Sequence, residues 1–225
     1  MIYQLLSQPI TLDVVIGLVS LAIALVLGIT VHEFSHAAAA TWLGDSLPRQ
    51  QGRLTLAPLA HLDVMGSLMF VVGGFGWGKP VQYNPFALRA GPRSGPAIVA
   101  AAGPLSNLIL AILVAIPTRL LGIAVFSGLV GSAQPSPVGF ELLTLLRTIV
   151  FYVLVLGFFN LIPVFPLDGF TILLGLLPPE LADRFEQTRQ YGILLLFALV
   201  FLGSSILGII IYQPVNSLTH LLIDF

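Results

Sequence analysis

The sequence contains no cysteine and very little charge. The first absence removes disulfides and thiolate metal ligands. The second reaches further: Asp, Glu, Lys and Arg make up only 8% of 225 residues, against about 25% in an ordinary soluble domain. The net charge is −1 and no Lys/Arg run occurs, which sets nucleic-acid binding aside. Residues 1–12 hold no Lys or Arg, so the basic region of a secretory signal is missing and the first apolar run is read as a retained span. What is present is apolar: hydrophobic residues are 57% of the chain and the mean hydropathy is +1.01. This is the composition of a multi-pass membrane protein, and the length suits a single domain over 1–225.

A helix needs about 20 apolar residues to cross the hydrocarbon core. Four stretches qualify, at about 11–43, 97–118, 141–162 and 190–212, with Gly44 as a stop for the first and Pro117 for the second. The predicted fold is therefore all-α and polytopic, with a short helix after Pro166 that stops at Pro178-Pro179. Segment 64–78, VMGSLMFVVGGFGWG, is apolar but too short to span and is interrupted by Gly. It suits a re-entrant or interfacial element, which survives at membrane depth only where protein or water covers its backbone. Leu68, Met69, Phe70, Val71 and Val72 are β-rich enough to form an edge strand there; a loop that merely packs is the equal alternative. Loop 44–96 carries five of the nine basic residues and loop 163–189 adds Arg184 and Arg189. The positive-inside rule then puts both loops in the cytoplasm and both termini outside.

Against this background, His32-Glu33-Phe34-Ser35-His36 stands out, because residues 14–31 before it carry no charge. Ionisable groups in a span are costly, so functional use is the default reading. On a helix, i and i+4 share a face, so both imidazoles can reach one ion, and neutral imidazole suits zinc. Glu33 projects about a quarter turn away and can take a proton from water that zinc acidifies. Such sites use three protein ligands. His61 and His220 are weak candidates, one in a loop and the other near the outer end. The better third ligand is Asp168 in FNLIPVFPLDGF, which follows an uncharged run over 148–167. Asp-Gly alone is a common turn signal, but beside a two-His site ligation is the stronger reading. Pro163 and Pro166 break the helix and free the backbone to present it.

Together these residues resemble the site-2 proteases, intramembrane zinc metalloproteases. The likeness rests on HEFSH at 32–36, NLIPVFPLDG at 160–169, GRLTLAPLAHLDVMG at 52–66 with GWGKPVQYNP at 76–85, and AGPLSN at 102–107. Order and spacing resemble the compact bacterial and archaeal subgroup with the catalytic core alone: there is no room for a PDZ domain between spans and no C-terminal nucleotide-binding module. The resemblance implies one Zn2+ per chain held by His32, His36 and Asp168, with Glu33 as catalytic base. It implies that Asn160 helps hold the substrate backbone or the developing oxyanion, and that 64–78 is a re-entrant hairpin offering an edge to unwound substrate. Gly103 and Asn107 look like helix-packing positions. The implied partners are the lipid bilayer and single-span membrane proteins or membrane-retained peptide remnants, cleaved at a plasma membrane on the cytoplasmic side. A zinc transporter or sensor, and an inert scaffold for single-span proteins, are the competing readings.

Overall fold

The computed structural model describes residues 12–73, 76–126 and 137–224. Helix α1 spans Leu12–Trp42, α2 Val64–Gly73, α3 Gly91–Phe126, α4 Pro137–Asn160, α5 Asp168–Leu176, α6 Pro179–Glu186, α7 Gly192–Leu202 and α8 Ser204–Ile223. Four of these, α1, α3, α4 and α8, are long and apolar enough to cross a membrane. They leave many large apolar side chains bare, among them Leu105, Ile109, Leu113 and Ile116 along α3. In water such a surface would be a liability; in lipid it is the contact face.

The expected spans are met with two differences. The second does not stop at Pro117, because α3 continues to Phe126 with Pro96, Pro104 and Pro117 inside it. Each proline removes one backbone donor, which neighbouring elements can offset inside a packed membrane bundle. The apolar run expected to span 190–212 breaks at Gly203, whose amide caps Leu199 O at 3.0 Å. A Cβ at this glycine would lie 2.5 Å from that same carbonyl oxygen. The spanning candidate is instead Ser204–Ile223, with a π-helical turn over Gly208–Tyr212. The first span ends where expected: Gly44 adopts φ +111°, a left-handed conformation that glycine takes without strain.

Segment 64–78 departs most from expectation. Val64–Gly73 is helical, so Leu68, Met69, Phe70, Val71 and Val72 form no edge strand. Among the described residues the only β pairing is an isolated antiparallel bridge between Leu62 and Gly78. Five consecutive apolar residues fit a strand and a buried helix turn equally by pattern, and here the helix starts from Asp63, whose carboxylate accepts from Gly66 N at 2.8 Å. Residues 74–75 of the expected hairpin lie outside the described residues.

Helices α1, α3 and α4 pack mutually, and small residues let them close. A Cβ on Gly157 would lie 3.2 Å from Asn107 Cβ, and one on Gly28 3.1 Å from Leu156 Cδ2. Asn107, with no exposed surface, sits where the three meet. Helix α5 packs on α3 so closely that a Cβ on Gly175 would fall 2.4 Å from Ala97 Cβ. Connectivity puts the C-terminus of α1, the N-terminus of α3 and the C-terminus of α4 at one end. At the other, Arg119 of α3 meets Leu221 of α8 and Arg147 of α4 pairs with Asp224.

Candidate metal centre and active site

The site is built from one helix and one helix start. Four residues along α1, the His32 and His36 rings lie 4.6 Å apart, edge to face. Asp168 arrives from the other side. Chain 161–167 leaves α4 after Asn160, turns through Pro163 and Pro166, and delivers Asp168 as the first residue of α5. Gly169 is required by this approach, since a Cβ there would lie 2.2 Å from Leu161 O.

The three side chains converge. Asp168 Oδ2 stands 2.9 Å from His32 Nε2 and 3.3 Å from His36 Nε2, and one ligand atom from each residue lies within 4.8 Å of the others. The far side of each ring is already committed. His36 Nδ1 lies 2.8 Å from the Val99 carbonyl, which can only accept, so Nδ1 carries the proton. His32 Nδ1 lies 2.9 Å from Asn107 Oδ1, while Asn107 Nδ2 donates to Gly28 O and Val153 O, each at 3.4 Å. That amide orientation makes His32 Nδ1 the donor as well. In the neutral rings both Nε2 lone pairs therefore face a carboxylate oxygen that has no hydrogen-bond donor. Acceptors crowded in this way call for a cation between them. Nitrogen, nitrogen and oxygen donors, with the outer ring nitrogens hydrogen-bonded, fit a zinc-type centre. Gly103 makes room for the rings: a Cβ there would fall 2.5 Å from His36 Cε1 and 2.6 Å from His32 Cε1.

The centre opens on a cavity of about 530 Å³. Glu33 lines it, with apolar walls that include Ile29, Val99, Leu156, Phe159 and Phe197. Asn160 is on the wall too, but its Nδ2 donates back to Leu156 O at 3.0 Å. An irregular stretch, residues 76–83, lines the cavity beside Glu33, and a Cβ on Gly78 would lie 3.3 Å from Glu33 Oε1. Tyr83 also faces the cavity; burial pushes its phenol up, with Asp168 adding to the rise, so it remains a proton donor. His61 is fully buried but elsewhere engaged, its Nε2 at 2.6 Å from Thr55 O, and His220 pairs with Asp224 at the opposite end.

Two contributors escaped the sequence reading. Asn107 is more than a packing residue, since it fixes the His32 tautomer. An amide inside an uncharged run is itself a signal of buried polar work. Arg53, which counted only as a loop charge, is 4% exposed and reaches toward Glu33. Nothing in its spacing from the HEFSH stretch marks that contact.

Fold and site together define a helical membrane protein with a His-His-Asp metal-binding constellation and a carboxylate in the adjoining cavity. The model of "Peptidase family M50" matches residues 121–203, a stretch that contains Asp168. "Putative zinc metalloprotease YwhC" of Bacillus subtilis is 36% identical over 189 residues, covering 83% of each chain. "Putative zinc metalloprotease Rip2" of Mycolicibacterium smegmatis is 32% identical over 184 residues, 77% of this chain and 63% of that protein. Its namesake in Mycobacterium tuberculosis H37Rv is 31% identical over 183 residues, 79% of this chain and 64% of that one. No solved structure matches. The chain belongs to peptidase family M50, and with four apolar helices of spanning length it is an integral membrane protein.

Proposed function

We propose that the protein is an intramembrane zinc metalloprotease that hydrolyses peptide bonds within or near the transmembrane segments of single-span proteins. The observation that carries this reading is the meeting of His32, His36 and Asp168, from α1 and α5, on one wall of a cavity that Glu33 also lines. His32 Nε2, His36 Nε2 and an Asp168 oxygen would hold one zinc ion. When bound, zinc polarises the scissile carbonyl and lowers the pKa of water beside it. Glu33 takes the proton of the attacking water and passes it to the leaving amine. Asn160, once its amide leaves Leu156 O, is a donor for the developing oxyanion. The apolar walls keep bulk water from the reacting atoms.

A helical substrate hides its amides in internal hydrogen bonds and must unwind before it can be cut. Its freed groups then need partners. Stretch 76–83 serves this need better than the helical residues 68–72: it runs past Glu33, and Val81 makes no backbone hydrogen bond among the described residues. Pairing of this kind grips backbone with little demand on side chains. Six of the nine basic residues fall in the two connections at the site's end and Arg93 in the first turn of α3, a distribution that supports cleavage at the cytoplasmic side.

The test is cleavage of a transmembrane model peptide by purified protein in lipid. Glu33→Gln should lower the rate by at least about a thousandfold while zinc stays bound. Retained activity in that variant removes Glu33 from the mechanism.

A further inference from the structure

Arg53 is a buried charge that no step above uses. It follows the Gly52 turn, and its own amide bonds Pro48 O at 2.9 Å. Its side chain is 5% exposed. Nη1 donates to Ala60 O at 2.7 Å and Nη2 donates to Lys79 O. Nη2 also lies 3.6 Å from Glu33 Oε2, just beyond hydrogen-bond reach. That carboxylate oxygen is buried and has no hydrogen-bond partner, and neither has Arg53 Nε. The other oxygen, Oε1, sits under Gly78.

Both carbonyl contacts could be made by any buried donor. Placing a guanidinium there is costly unless a negative charge compensates it, and the anion within reach is Glu33. We propose that Arg53 is the positioning residue for Glu33. Its charge aims the carboxylate across the cavity, and its fork ties that carboxylate to stretch 76–83 through Lys79 O. The gap of 3.6 Å leaves the carboxylate restrained but not captured, so Oε2 can still reach a proton. One side chain thereby sets the base and the proposed peptide edge in a common frame. Lysine could supply the charge but not the planar fork. This inference rests on the reading of Glu33 as the base.

The experiment is a double-mutant cycle in the full chain, reconstituted or in detergent, read by melting temperature and yield. Arg53→Gln should destabilise the parent clearly and the Glu33→Gln variant much less, because only the parent is left with a lone buried carboxylate. Equal losses in both backgrounds, including equal failure to accumulate, overturn the pairing. This arm reads the pair whether or not Glu33 is catalytic, so it is separable from the failure of the proposed mechanism. The second arm is kinetic. Arg53→Gln should lower kcat by at least about tenfold with bound zinc unchanged, and Arg53→Lys should recover part of kcat. A non-additive cycle with kcat unchanged would reduce Arg53 to a structural pair, and equal kcat in the Lys and Gln variants would remove its charge from the account.

Discussion

Two arginine–carboxylate pairs join distant parts of the chain among the described residues, one at each end of the bundle. Arg147 and Asp224 meet at 2.8 Å with side chains 41% and 36% exposed. Arg53 and Glu33 stand at 3.6 Å with side chains 5% and 13% exposed. Distance alone would rank the first pair stronger. Surroundings reverse the ranking. An exposed pair is screened and contributes about 0.2–1 kcal/mol. Breaking a buried pair strands a charge and costs about 3–5 kcal/mol. The difference shows where this protein concentrates its polar chemistry. At the site's end the Arg53–Glu33 pair and the Asn107 amide are buried among their partners; at the opposite end the Arg147–Asp224 pair is exposed.

The comparison can be broken most severely at Gly103. Gly103→Ala drives a methyl group into both imidazoles, and we expect loss of bound zinc together with cleavage, a fall of at least about a thousandfold. Metal analysis of the purified variant checks the first half, and normal zinc content would show that the rings can move aside. A smaller effect is expected at Asn107. Asn107→Ala leaves His32 Nδ1 without its acceptor, and loss of such an outer partner weakens metal affinity by about 10–100-fold. Competition with a chelator measures it. The smallest effect belongs to the exposed end. Arg147→Gln should change stability by less than about 1 kcal/mol and leave cleavage within about twofold of the parent. A large loss there would erase the contrast between the two ends.

How much of this the sequence reveals follows the same division. Helix α1 is legible because two imidazoles four apart in an uncharged run make functional use the default reading. Asp168 is legible because two prolines announce a helix end just before it. Segment 64–78 is not, because a short apolar run between glycines has no periodicity to separate strand from helix. Its helix begins from a local bond of Asp63 to Gly66 N, which pattern counting does not weigh. The break at Gly203 is equally silent, since a single glycine in an apolar run is commonly tolerated. Arg53 and Asn107 depend on contacts across 20 and 75 positions of sequence. Each residue type was visible, but its partner was set by tertiary packing.

The proposed chemistry depends on His32, His36 and Asp168 closing on one metal ion. Zinc content of Asp168→Asn against Glu33→Gln, measured on purified protein by elemental mass spectrometry, tests it most directly. One zinc per chain is expected in Glu33→Gln and little or none in Asp168→Asn. Full and equally tight zinc in both variants would contradict it, because the carboxylate brought from α5 would then not be a ligand.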